Sequence, residues 1–135
     1  MKLLTKDTDY AIRALVVLAK DSNKYLSARI IAKEQKIPYQ FLRTIMQKLI
    51  KNRLVESKEG ASGGFKIKKD PKKIKITDII HIFQGNITLT ECLFRKKICQ
   101  NRKTCPLRRE IKRIEWGLED EFNKLTINKL LKKTS

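Results

Sequence analysis

Three cysteines fall within one short stretch, Cys92, Cys99 and Cys105, with six residues in the first gap and five in the second. An odd number of thiols so close together makes a poor structural disulfide framework, so the clustering points to metal or redox chemistry. Three thiolates supply most of an iron-sulfur cluster, for which four ligands are the usual complement. The same set suits zinc. A metal-free alternative is a disulfide between Cys99 and Cys105 under oxidation, with Cys92 left over. Arg95, Lys96, Lys97, Arg102, Lys103, Arg108 and Arg109 surround the thiols, and their charge would favour thiolate over thiol. The single histidine, His81, lies in a different segment and reads as a packed or half-exposed structural residue. No nucleophile with a paired base, carboxylate dyad or phosphate-binding glycine loop is visible, so no enzyme and no small-molecule substrate are expected.

The second chemical signal is charge. Thirty-two Lys and Arg against 14 Asp and Glu give a net charge of +18 over 135 residues. Such an excess repels itself and seeks an anionic partner, most commonly a phosphate backbone. With 41% hydrophobic residues the chain can still build a core. No apolar run approaches the ~20 residues that span a bilayer, and charges interrupt the N-terminal apolar pair before a signal sequence can form. A cytoplasmic protein is expected.

The elements that must place these groups follow from the hydrophobic pattern. Residues 9 to 20 are apolar on nearly every side, with Arg13 the only interior charge, as in a helix at the centre of a small domain. Ser27 is a candidate N-cap for a two-turn helix from Ala28 to Gln35 with Ile30, Ile31 and Ala32 on its apolar face. Pro38 suits the first position of a longer helix, in which Phe41, Leu42, Ile45, Met46, Leu49 and Ile50 form a buried stripe. Leu54 to Ser57, a glycine-rich turn from Gly60 to Gly64, and Phe65 to Lys68 make a small β-hairpin. A helix over 77 to 83 with Thr77 as N-cap follows. From Pro106, the residues Leu107, Ile111, Ile114, Leu118, Phe122 and Leu125 form one seam on a helix of about five turns. So long a seam on so small a domain predicts a partner helix. Trp116 and Phe122 read as packing residues on it.

Two helices joined by a tight turn, then a basic hairpin, make a winged helix-turn-helix. The fold class is therefore mainly α, with a small β-hairpin wing and a long C-terminal dimerisation helix. Residues 1–85 form the DNA-binding domain, 86–105 the cysteine loop, and 106–135 the dimerisation helix and C-terminal tail. In such a motif the second helix enters the major groove and its N-terminal exposed residues reach base edges. Those residues are Tyr39, Gln40, Arg43 and Thr44, while Lys48 and Lys51 lie where phosphate contact is expected. Lys58, Ser62, Gly63, Lys66 and Lys68 on the wing would meet the backbone or minor groove. The expected partner is double-stranded DNA, with a homodimer reading a palindromic operator. The rival is a basic RNA-binding protein, which RNA's unreadable major groove would not serve in the same way.

The run Tyr10-Ala11-Ile12-Arg13-Ala14-Leu15, the pair Ile37-Pro38 followed by Leu42, Leu54-Val55-Glu56-Ser57, Gly60-x-x-Gly63-Gly64-Phe65, and Cys105-Pro106-Leu107 carry a resemblance. Almost the whole chain resembles the bacterial winged-helix transcription regulators that include IscR, NsrR and CymR. The resemblance implies a homodimeric regulator, a repressor, with an iron-sulfur cluster in its cysteine-bearing members that changes DNA affinity. It implies Cys92, Cys99 and Cys105 as cluster ligands, a 4Fe-4S cluster in preference to 2Fe-2S, and iron, redox state or nitric oxide as the signal. Asp9 matches the acidic position of the first helix that, from the other subunit, completes the NsrR-type cluster. A plainer role for Asp9 is to favour the positive end of its helix, by about 0.3 to 1 kcal/mol. Asp7, Glu91 or an exogenous thiol or water are the other candidates. The chain departs from the family in three places: the first cysteine gap is one residue longer, Arg108 stands at the IscR-type histidine position, and Glu59 precedes the first wing glycine where many members have Arg. Metal-free or zinc-bound thiol switching remains the alternative mechanism.

Overall fold

The computed structural model describes residues 3–89 and 105–134. Helix α1 (Lys6–Lys20) runs through the middle of the domain. Thr5 caps it, its side chain accepting from the Thr8 amide, and Ala11, Ala14, Leu15, Val17, Leu18 and Ala19 are buried. With so many faces apolar, α1 can be covered on several sides, and α2 (Ala28–Gln35), α3 (Tyr39–Lys51), α4 (Ile76–Phe83) and α6 (Ile127–Thr134) all pack on it. Strands β1 (Val55–Lys58) and β2 (Gly64–Ile67) form the antiparallel wing, with Val55 opposite Ile67 and Lys58 opposite Gly64.

Two glycines of the expected turn are required by close approach. A Cβ on Gly63 would stand 2.1 Å from the Lys58 carbonyl oxygen. Gly64 has φ +141, and a Cβ there would stand 2.3 Å from the carbonyl oxygen of Leu26. That carbonyl accepts from Phe65, and Leu26 in turn donates to the Phe65 carbonyl, so the chain before α2 adds a third backbone pairing to the wing.

The C-terminal half differs from expectation in instructive ways. The start of α4 lies one residue earlier than Thr77. The carboxylate of Asp78 accepts from the Lys75 amide at 3.0 Å and fixes the start there. Thr77 is buried inside the helix and donates to Asn123 Oδ1 at 2.9 Å. Helix α5 (Pro106–Lys124) matches the expected long helix, but its seam splits. Phe122 and Leu125 pack against the core, whereas Leu107 and Ile114 are 67% and 45% exposed. Trp116 is 67% exposed rather than packed within this chain. The residues read as a tail form α6, which buries Ile127 completely and lays Leu130 and Leu131 on the core. Residues 74 to 76 pair with 125 to 127, Ile76 N to Leu125 O at 2.9 Å and Ile127 N to Ile74 O at 3.0 Å.

Candidate nucleic-acid interface and cysteine site

The helix-turn-helix is set by a short, stiff connection. Ser27 caps α2, its hydroxyl accepting from the Ile30 amide, as its position before the apolar run predicts. Lys36 adopts the left-handed conformation at φ 54 and ends the helix, and the buried Ile37 anchors the turn by donating to the Ala32 carbonyl at 2.9 Å. Pro38 sits just outside α3 in extended conformation, so it starts the helix from the cap position rather than from the first turn. Leu42, Ile45, Met46 and Leu49 turn inward. Tyr39, Gln40, Arg43, Thr44, Lys48 and Lys51 are all exposed, so the structure brings the expected base-reading and phosphate positions to one solvent face of α3. Phe41 is a correction: it is 53% exposed, outside the buried stripe, and adds an aromatic ring to the outer part of the helix.

Cations on this surface are organised by aromatic rings. The Arg43 guanidinium lies 5.9 Å from the Tyr39 ring centroid and that of Arg29, from α2, lies 5.8 Å away. Lys48 leans back over Phe83 at 5.5 Å, tying the last turn of α3 to the end of α4. On the wing, Lys58 and Lys66 approach the Tyr25 ring at 5.7 and 5.5 Å. The Tyr25 hydroxyl donates to Glu56 Oε1 at 3.2 Å. Burial, then the Glu56 charge and that hydrogen bond, push the Tyr25 phenol above its ordinary value. Ser62 is exposed and Gly63 half-buried at the wing tip, and Lys68 is exposed where β2 ends. Neither Tyr25 nor Arg29 is singled out by local sequence pattern, because the ring each one meets or offers comes from a neighbouring element.

Of the expected cysteine ligands, Cys92 and Cys99 lie outside the described residues. Cys105 carries a free, half-buried thiol and stands immediately before α5, its carbonyl accepting from the Arg109 amide at 3.3 Å. The N-terminus of a helix is a favourable place for a negatively charged ligand. Asp9 is half-buried in the first turn of α1 and pairs with Arg13 at 3.2 Å, side-chain exposures being 43% and 52%. A half-exposed carboxylate with one ion-pair partner retains acceptor capacity for a further ligand. His81 sits on α4, 3.2 Å from Glu119 of α5 and 44% exposed, the half-exposed structural position expected of it.

Two polar groups absent from the sequence reading bracket the cysteine segment. Gln84, at the end of α4, accepts from the Thr5 amide at 2.9 Å and donates to the Leu3 carbonyl at 2.8 Å. Glu115, only 8% exposed, accepts from the Leu89 amide at 2.9 Å. The segment entering the cysteines is thereby tied to α1 and α5 at once.

Comparison with known proteins agrees with this geometry. Residues 4–133 match the family model Rrf2, described as an iron-dependent transcriptional regulator. The HTH-type transcriptional regulator NsrR of Shouchella clausii is 32% identical over 107 residues, 78% of this chain and 72% of that protein. CymR, titled the global cysteine regulator of B. subtilis, superposes with a TM-score of 0.84 over 100% of both chains at 25% identity. IscR of T. potens shares the fold, with a TM-score of 0.78 over 100% of this chain and 89% of its own, at 22% identity. With a matching model over nearly its whole length and a winged helix-turn-helix to carry the role, the chain belongs to the Rrf2 family of transcriptional regulators and is not an enzyme.

Proposed function

We propose that this regulator is a homodimeric repressor that reads a palindromic operator with α3 and the wing, and whose operator affinity is set at Cys92, Cys99 and Cys105. The observation that carries the reading is the position of Cys105. Its free thiol stands at the head of α5, the helix whose Leu107 and Ile114 leave an apolar seam open for a second subunit. A change of state at the thiols therefore bears directly on the helix that would hold the dimer together. Tyr39, Gln40, Arg43 and Thr44 would read base edges, and Lys48, Lys51, Lys58, Ser62, Gly63 and Lys66 would hold the backbone and minor groove.

The donor set fits an iron-sulfur cluster, 4Fe-4S in preference to 2Fe-2S, with Cys92, Cys99 and Cys105 as thiolate ligands and Asp9 of the partner subunit as the fourth. When bound, such a group supplies chemistry sensitive to iron, redox state or nitric oxide. Asp9 would turn from Arg13 to ligate, and Cys105 would hold the start of α5 in place. A useful switch needs about 1 to 3 kcal/mol of coupling between the two sites. The free, half-buried Cys105 thiol and the likeness to a protein titled a cysteine regulator favour a second reading, a thiol switch without metal.

The deciding experiment is the iron and sulfide content and visible absorbance of protein purified without oxygen, followed by operator affinity of loaded and unloaded protein at fixed salt. About four irons per subunit and unequal affinities are expected. A colourless protein that cannot be reconstituted moves the cysteines to thiol or zinc chemistry, and equal affinities end the sensing proposal.

A further inference from the structure

Arg29 and Arg43 come from different helices yet approach the same ring. Arg29 is in the first turn of α2, Arg43 is one turn into α3, and Tyr39 opens α3 between them. The guanidinium carbons lie 5.8 and 5.9 Å from the Tyr39 centroid, inside the ~6 Å reach of a cation–π contact. All three side chains are exposed, Tyr39 by 41%. Among the described residues no carboxylate pairs with either arginine, in contrast to Arg13 with Asp9 and Arg113 with Glu110. Two unneutralised guanidiniums held at one point of a strongly basic protein repel each other unless an anion lies between or beyond them.

We infer that Arg29 is a DNA contact and that Tyr39 is the positioning residue which holds Arg29 on a backbone phosphate while holding Arg43 on the adjacent base edge. The inference rests on the reading of α3 as the groove helix. An aromatic ring meets a guanidinium on its face, whereas the N–H donors that grip phosphate or guanine point out from the edge in the guanidinium plane. The contact with Tyr39 therefore restrains both side chains without consuming the donors they need, and less side-chain freedom is lost on binding. The division of labour follows from position. The first helix of a helix-turn-helix crosses the sugar-phosphate backbone, so Arg29 meets phosphate, and the second enters the groove, so Arg43 meets bases.

The test uses the full chain purified without oxygen and a duplex selected by the wild-type protein from a randomised pool. Affinity is measured across a salt series, and base preference with a library of single changes in that duplex. Arg29→Ala should weaken all sequences alike and make the slope of log affinity against log salt shallower by about 0.9 per half-site. Tyr39→Leu should weaken binding and flatten the preference at the base read by Arg43, whereas Tyr39→Phe, which keeps the ring, should retain that preference and the wild-type salt slope and lose only what the hydroxyl itself contributes to affinity. In the Tyr39→Leu background, Arg29→Ala should cost less than it does alone. An unchanged salt slope in Arg29→Ala overturns the phosphate contact. Equal behaviour of Tyr39→Phe and Tyr39→Leu overturns the ring platform. If the wild-type protein selects no duplex, the DNA-reading proposal has failed; if it does and Arg43→Ala alone loses base preference, only the Arg29 and Tyr39 inference falls.

Discussion

The hydroxyl of Thr8 donates to Gln84 Oε1 at 2.8 Å, across 76 positions of sequence. Thr8 is fully buried, so this bond satisfies a polar group at the start of α1 with a side chain from the end of α4. Gln84→Ala removes that acceptor together with the bonds to Thr5 and Leu3. Thr8 retains only the Thr5 hydroxyl at 2.9 Å. Urea unfolding should show a loss of about 1 to 3 kcal/mol, the cost of leaving a buried polar group undersatisfied. Wild-type stability in the variant would show that the latch is idle.

Phe41 and Leu42 are neighbours with opposite roles. Leu42 is fully buried and Phe41 is 53% exposed. Leu42→Ala should cost about 2 to 5 kcal/mol, as large-to-small core changes do. Phe41→Ala should cost under about 1 kcal/mol. Comparable losses from the two variants, read from unfolding curves, would place Phe41 back in the core.

The wing should respond to alkali through Tyr25. Its phenol titrates above the ordinary value of 10.0 because burial and then Glu56 disfavour the phenolate. The folded state therefore holds this proton to higher pH than the unfolded chain does. The associated stability is fully present below pH 10.0 and is lost as pH rises through the folded value. Ultraviolet difference titration against Tyr25→Phe should give that raised midpoint. Glu56→Gln should move it down, and an unmoved midpoint would leave burial as the whole cause.

Arg43→Ala and Lys51→Ala should separate base reading from charge. The arginine variant should relax base preference by about 1 to 3 kcal/mol at one position of each half-site, and the lysine variant should lower affinity evenly across sequences. The reverse pattern in a binding-library measurement would show that α3 lies on the duplex in another orientation.

What the sequence revealed divides by the range of the interactions involved. Helix α2 begins at the Ser27 cap and runs to Gln35 as the apolar run places it, and the wing lies within a residue of its expected bounds, since caps and tight turns are decided by adjacent residues. Phe41 reads as core in the sequence because Phe41 and Leu42 both fit a helical stripe, and periodicity alone does not say where its edge falls. Thr77 has the side chain of a cap but spends its hydroxyl on Asn123, 46 positions away. Helix α6 hides as a tail because its three lysines equal its three apolar residues in so short a run, and only the packing of Ile127, Leu130 and Leu131 defines it. For the cysteines, residue type and spacing suggest the class of chemistry. The ion pair between Asp9 and Arg13 and the setting of Cys105 at a helix head emerge only with the fold.

The pairing of residues 74 to 76 with 125 to 127 orders events during synthesis. Ile127 belongs to the same core as Leu15 and Ile80, so the layer around α1 stays open until the ribosome has made α6. Closing that pairing spans the whole cysteine segment and carries a loop-closure entropy that must be met before Ile127 reaches the core. A nascent chain halted before residue 127 would present the winged motif with the α6-facing side of α1 uncovered, a species prone to aggregate rather than a shorter working regulator. Closure of the core around α1 thus waits until synthesis has passed through the cysteine segment and reached α6.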